Sequence, residues 1–201
     1  MNTILIGKLA PEIRTKAVVD HKIVEFSLQD YLGKYVILFF YPLDFTFVCP
    51  TELHAFQEKE SEFSKRGAQV IGCSVDSHFS HQAWLQTPKL KGGIEGVRYP
   101  ILSDLQKSIA RSYQVLKEDE GIAYRGLFLI DKQGIVRHQL INDLPIGRSV
   151  DEALRTLDAV IQYEKYGEVC PANWNTGMQT MRPNQQGVMA YFANPSPIAQ
   201  P

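Results

Sequence analysis

The chain of 201 residues holds only three cysteines, an odd number and too few for a disulfide scaffold. A chain of this length buries roughly 70 % of its unfolded surface, so neither disulfides nor metal are needed to hold a core. No Cys-x-x-Cys pair is present, which excludes a locally encoded dithiol exchange centre. No zinc-ligand set is recognisable either, because His78-x-x-His81 and scattered cysteines do not supply about four ligands. No metal site is therefore expected. Charge of one sign is also lacking: 21 Lys plus Arg face 22 Asp plus Glu, for a net charge of -1. That balance leaves no electrostatic footprint for nucleic acid or for an anionic membrane. There is no apolar run of about 18 residues that could span a bilayer. The opening Met1–Lys8 stretch carries no charged leader and no useful signal-peptide core, so a cytosolic location is expected, with an already-processed organellar protein as the alternative. In such a reducing compartment, cysteines are either inert or catalytic.

What remains is the composition of a globular protein, with 44 % hydrophobic and 21 % charged residues. From Glu12 to Leu28, two short β-branched runs flank Asp20-His21 and predict a hairpin. Tyr35 to Tyr41 is a continuous apolar run suited to a strand buried on both faces. Leu53, Phe56 and Phe63 recur near helical spacing up to Gly67. Ala68–Val75 predicts a strand, and Ser77–Thr87 a helix with a Ser cap signal and a stop at Pro88. A Gly92–Gly96 loop, a short strand Tyr99–Leu102 and a helix Asp104–Tyr113 follow. Tyr124–Ile130 and Ile135–Ile141, joined by Asp131–Gly134, predict a second hairpin, and Val150–Tyr166 an amphipathic helix ended by Gly167. Strand–helix alternation with hairpins at both ends gives an α/β fold, a mixed central sheet flanked by helices. The division expected is a domain of residues 1–166 and a polar C-terminal tail of residues 167–201.

The chemistry concentrates at Cys49, in Tyr41-Pro-Leu-Asp-Phe-Thr-Phe-Val-Cys-Pro-Thr-Glu52. A strand delivers a loop, and the loop delivers a thiol to the start of a helix. The thiolate is the nucleophile, and a helix N-terminus favours the ionised form. A buried, inert cysteine is the common alternative, but Thr46, Pro50 and Glu52 surround this one with polar and conformationally fixed groups. An activated thiol beside a hydroxyl suits attack on a carbonyl or on a peroxide oxygen. Acyl chemistry usually wants a histidine base, and none of the five histidines sits in a motif that supplies one. Attack on a peroxide needs a cation and donors for the departing oxygen, for which Arg125 at the start of an apolar strand is the candidate. Thr46, three residues before Cys49, also reads as the helix N-cap. Cys73, inside a predicted strand, reads as core.

Phe45–Glu52 resembles the signature of the peroxiredoxins, and Gly167–Trp174 resembles the second-cysteine motif of their typical two-cysteine class. Arg125–Phe128, Asn142–Arg148 and Val75–Phe79 match as well, so the resemblance runs from about Gly7 to Phe192. It implies a thioredoxin-like fold and a thiol peroxidase acting on hydrogen peroxide and alkyl hydroperoxides with no cofactor, whether metal, flavin or haem. By the same resemblance Cys49 is the peroxidatic cysteine, which becomes a sulfenic acid, and Cys170 of a neighbouring subunit resolves it as an intersubunit disulfide. Thr46 hydrogen-bonds thiolate and peroxide, Arg125 holds both, Pro42 shields the pocket, and Glu52 and Arg148 orient Arg125. Members of this class are homodimers that often assemble into decamers, with thioredoxin as reductant. Two rivals stand beside this reading: a chaperone or signalling module switched by oxidation, and a one-cysteine enzyme in which Cys170 is structural.

One departure carries a further expectation. Where hyperoxidation-prone members have Gly-Gly-Leu-Gly, paired with a C-terminal Tyr-Phe, this chain keeps Tyr191-Phe192 but has Gly92-Gly93-Ile94-Glu95. If Glu95 stands where a positive φ is required, the latch is loosened. The alternative is that Gly96 takes over the turn.

Overall fold

The computed structural model describes residues 4–193. Its described residues form a seven-stranded mixed sheet in the order β2 (Lys22–Ser27), β1 (Arg14–Val19), β5 (Ile101–Ser103), β4 (Ala68–Ser74), β3 (Tyr35–Phe40), β8 (Arg125–Ile130) and β9 (Val136–Asn142). The first hairpin is β1 (Arg14–Val19) and β2 (Lys22–Ser27), antiparallel. Its turn uses Asp20 and His21 at φ 51° and 65°, the left-handed pair that a two-residue hairpin loop requires.

The interior strand β3 (Tyr35–Phe40) is buried at every position. It pairs in parallel with β4 (Ala68–Ser74), which pairs in parallel with β5 (Ile101–Ser103). On its other side β3 runs antiparallel to β8 (Arg125–Ile130), itself paired with β9 (Val136–Asn142). Both faces of β3 are covered, which is why its sequence shows no alternation. Phe39 stacks on Phe56 at 4.4 Å between ring centroids. On the opposite face Val36, Leu38 and Phe40 join Ile71, Leu102, Tyr113 and Phe128 in the core.

The helical run after β3 is two helices, α1 (Cys49–Glu58) and α2 (Glu60–Lys65), broken at Lys59. Next, α3 (His78–Gln86) is capped by the Ser77 side chain, which accepts from the Ser80 N–H. The helix predicted from Asp104 is shorter, α4 (Ser108–Ser112), because Asp104 caps rather than begins it: its carboxylate accepts from the N–H groups of Ile109 and Ala110. A two-residue pair not expected from sequence, β6 (Leu116–Lys117) and β7 (Ile122–Ala123), precedes β8.

The chain forms two compact units, the first as far as Val150 and the second from Asp151. The second unit therefore takes almost all of α5 (Val150–Tyr166), which the sequence reading had placed in the first domain. It also contains a helix that the tail's polarity had hidden, α6 (Gln185–Ala193).

In the Gly92–Gly96 loop the left-handed positions are Gly92 (φ 75°) and Gly96 (φ 92°), and Glu95 is not among them. The glutamate thus imposes no backbone strain, and the conformational ground for a loosened latch is absent. Gly93 is the sterically constrained residue here, since a Cβ on it would lie 1.9 Å from the Thr87 carbonyl oxygen.

Candidate active site

The loop that follows β3 delivers Cys49 as the first residue of α1. The cysteine is fully buried. Val48, not Thr46, is the N-cap of this helix, and it makes no side-chain cap bond. The Thr46 hydroxyl is instead turned toward the thiol: Oγ1 lies 2.9 Å from Cys49 Sγ and 2.9 Å from the Leu43 carbonyl oxygen. A hydroxyl has one proton and two lone pairs. It can donate to Leu43 or to an ionised sulfur, but not to both, and whichever bond it makes leaves lone pairs to receive another hydroxyl.

Between those partners the backbone is strained. Phe45 sits at φ 55°, a left-handed conformation that costs a side-chain-bearing residue about 1–2 kcal/mol.

Arg125, the first residue of β8, is 3 % exposed and reaches the same sulfur. Its Nη1 stands 3.5 Å from Cys49 Sγ and 2.8 Å from Glu52 Oε2, while Nε donates to the Leu144 carbonyl at 2.6 Å. Glu52, one helical turn after Cys49, is buried with it. Its Oε1 accepts from the Arg148 backbone N–H and from Arg148 Nε, both at 2.8 Å, and its Oε2 accepts from Arg148 Nη2 at 2.8 Å. Arg148 Nη1 is in turn fixed by the carbonyls of Phe40 (2.7 Å) and Gly126 (2.6 Å).

Two guanidinium charges thus meet one carboxylate in a buried cluster. A negatively charged sulfur brings the cluster to neutrality, and buried charge is tolerated only when paired and hydrogen-bonded. The site combines a nucleophile, a hydroxyl that can donate or accept, and a cation held from behind. That arrangement suits attack on a polar single bond whose departing atom takes up negative charge. Sequence reasoning had named Cys49, Thr46, Arg125, Glu52 and Arg148, and all five converge here. Pro42 is buried in the same loop. The carbonyls of Leu43 and Leu144 were not foreseen, and backbone acceptors leave no residue-type signal.

Cys170 belongs to the second unit and is half-buried. Its Sγ faces the Ala159 carbonyl of α5 at 3.7 Å. The Cys170 segment is cinched by an antiparallel bridge, with Val169 N–H on the Met181 carbonyl at 2.8 Å and Met181 N–H on the Val169 carbonyl at 3.1 Å. Burial pushes the Cys170 thiol above its ordinary pKa, and the nearby Arg155 charge opposes that rise. Arg155 also donates to the Trp174 carbonyl at 3.0 Å. Cys73 is core: burial, aided by Asp104, pushes its thiol well up.

The AhpC/TSA family model matches residues 6–139, and the model of the C-terminal domain of 1-Cys peroxiredoxin matches residues 162–194. Peroxiredoxin-2 of Mus musculus is 54 % identical over 188 residues, covering 94 % of this chain and 95 % of its own length. A thioredoxin peroxidase of Echinococcus granulosus is 53 % identical over 190 residues, with 94 % and 98 % covered. Among solved structures, the reduced 2-Cys peroxiredoxin of Plasmodium vivax superposes with a TM-score of 0.93 at 48 % identity, covering 95 % of this chain and 100 % of that one. AhpC of Enterococcus faecalis superposes with a TM-score of 0.78 at 38 % identity, with 85 % and 100 % covered. These likenesses give the mixed sheet its family, since it is the thioredoxin-like fold of the 2-Cys peroxiredoxins. The chain belongs to the peroxiredoxins of the AhpC/TSA family, oxidoreductases that reduce peroxides.

Proposed function

We propose that the peroxide is reduced at Cys49 and that Cys170 of a neighbouring subunit completes the cycle. The observation that carries this reading is the charge-complementary cluster around Cys49 Sγ, with Thr46 Oγ1 at 2.9 Å and Arg125 Nη1 at 3.5 Å. The thiolate attacks one peroxide oxygen and breaks the O–O bond. The product is a Cys49 sulfenic acid, and the departing hydroxide or alkoxide takes up a proton and leaves as water or alcohol. Arg125 stabilises charge on both oxygens as the bond breaks. Thr46 accepts from the peroxide hydroxyl, which aligns the O–O bond with sulfur. Pro42 keeps water from competing, and Glu52 with Arg148 holds Arg125 in register.

The Cys170 thiolate then attacks the sulfenic sulfur, forming an S–S bond and expelling hydroxide, which is released as water. A dithiol protein of the thioredoxin class reduces that disulfide by exchange and is itself oxidised. Hydrogen peroxide and small alkyl hydroperoxides are the substrates, and three free thiols suit a cytosolic setting. Self-association, as a homodimer that builds to a decamer, is supported by the surface. Phe45, Phe47 and Phe79 are exposed, and β9 is an edge strand whose first residue, Val136, is bonded by Gly7 and Lys8.

The test is sustained peroxide consumption coupled to thioredoxin, thioredoxin reductase and NADPH. Wild type turns over many times. Cys49→Ser is inactive, and Cys170→Ser stops after a single equivalent. Continued turnover by Cys49→Ser sinks the assignment of the nucleophile. Continued turnover by Cys170→Ser with thioredoxin moves the chain to a one-cysteine cycle.

A further inference from the structure

Cys49 and Arg125 are each fixed by an element of regular structure, but Thr46 is not. It lies in the loop between β3 and α1, next to the strained Phe45. A left-handed residue bearing a side chain persists only when its surroundings over-determine it. Those surroundings are a buried polar network at Asp44, two residues before Thr46. The Asp44 carboxylate accepts from Tyr41 Oη at 2.9 Å and from Ser80 Oγ at 2.7 Å. It also faces His81 Nδ1, at 2.8 Å from Oδ2 and 3.1 Å from Oδ1. The Asp44 backbone N–H donates to Asp76 Oδ2 at 2.9 Å, and that oxygen is itself held by Ser74 Oγ at 2.7 Å.

His81 is fully buried, and its other nitrogen, Nε2, faces the Leu102 carbonyl at 3.1 Å. A carbonyl only accepts, so Nε2 carries a hydrogen. Nδ1 in turn faces a carboxylate, so a second proton lies between His81 and Asp44. The histidine therefore ties the end of β5 to the active-site loop through one rigid ring. Trp84, one turn further along α3, packs on the Phe45 ring at 5.8 Å between centroids.

We propose that His81 and Asp44 are positioning residues for Thr46: the buried His81–Asp44 pair holds the Leu43–Thr46 turn so that the hydroxyl meets the sulfur and the incoming peroxide. This rests on the reading of Cys49 and Thr46 given above. Neither side chain of the pair bonds to Cys49 Sγ. Their effect on the reaction is therefore indirect, and the hydroxyl they position is that of Thr46.

That route makes a double-mutant cycle decisive. The rate constant for Cys49 oxidation by hydrogen peroxide is measured by quenched-flow intact mass, in a Cys170→Ser background so that one step is read. His81→Phe, which keeps the ring but removes both nitrogens, is expected to slow oxidation at least tenfold. His81→Asn, whose amide can still donate to Asp44, is expected to stay within threefold of the parent. In a Thr46→Val background, His81→Phe is expected to change the rate less than twofold.

If His81→Phe fails to fold, Ser80→Ala removes one Asp44 bond from the half-buried side. It is then expected to slow oxidation about threefold, again only when Thr46 is present. An unchanged rate in folded His81→Phe or in Ser80→Ala overturns the proposal, as does an undiminished loss in the Thr46→Val background. A parent Cys49 that does not react with peroxide defeats the underlying reading instead, and the proposal falls with it.

Discussion

Glu52→Gln is the most exacting test of the charge cluster. The glutamate carboxylate accepts four hydrogen bonds, three from Arg148 and one from Arg125, all at 2.8 Å. Side-chain exposures across these pairs do not exceed 4 %. Glutamine keeps one acceptor oxygen and turns the other end into a donor. If its oxygen stays on the Arg148 N–H and Nε, the amide nitrogen faces Arg148 Nη2 and Arg125 Nη1, donor against donor. Two guanidinium charges then lie buried with no carboxylate between them. Removing one partner of a buried ion pair costs about 3–5 kcal/mol. For a chain of this size that corresponds to a fall of roughly 6–20 °C in Tm.

Arg125 would retain its Leu144 carbonyl but lose the anchor that aims Nη1 at the sulfur. Each 1.4 kcal/mol of lost transition-state stabilisation is about tenfold in rate, so Cys49 oxidation should slow about tenfold or more. Thermal unfolding at fixed protein concentration and stopped-flow peroxide oxidation measure the two effects. A Tm within about 3 °C of wild type, well short of the range expected from buried-pair costs, with an unchanged oxidation rate, would show that the pairing carries neither stability nor function.

Thr46→Val removes a hydrogen bond to a charged acceptor. Such bonds contribute about 1.5–3 kcal/mol, so Cys49 oxidation should slow by about 10- to 150-fold; less than threefold in a stopped-flow assay would contradict the role. Burial raises the Cys170 thiol and Arg155 opposes that rise, so disulfide formation should accelerate with increasing pH as the thiol ionises. Arg155→Gln should shift that profile to higher pH, read by quenching the resolving step across pH; a shift to lower pH refutes the electrostatic argument. Gly93→Ala drives a Cβ into the Thr87 carbonyl and should cost about 1–3 kcal/mol in urea unfolding, the range for overpacking. Glu95→Gly relieves no strain and should leave sulfinic oxidation at high peroxide unchanged by mass spectrometry, whereas an increase would restore the loosened-latch expectation.

Much of the fold is legible locally. The apolar run of β3, the Asp20-His21 hairpin and the stripe of α5 each announce themselves in composition and period. The misreadings arise where tertiary context overrides local signal. Asp104 looks like the start of a helix but caps one that begins later. Helix α6 contains Gly187 and buries no side chain, so its sequence carries no amphipathic stripe. Thr46 stands at cap spacing from Cys49, yet the loop turns its hydroxyl onto sulfur while Val48 takes the cap position.

The active site follows the same division. Cys49 can be argued from its place at a helix start, and Arg125 from its place at the start of a strand. The convergence of Glu52 with Arg148, 96 positions apart, is visible only through family resemblance or coordinates. The His81–Asp44 contact depends on α3 packing beside the loop after β3. In sequence, His81 suggested no more than half of an incomplete metal set.

The central claim, one thiol that attacks peroxide and a second that resolves it, is tested most directly by intact mass under non-reducing conditions after one equivalent of hydrogen peroxide. Wild type should become a covalent dimer joined through Cys49 and Cys170, while Cys170→Ser should remain a monomer with one added oxygen on Cys49. A wild-type monomer carrying only an oxidised Cys49 would contradict the two-cysteine cycle.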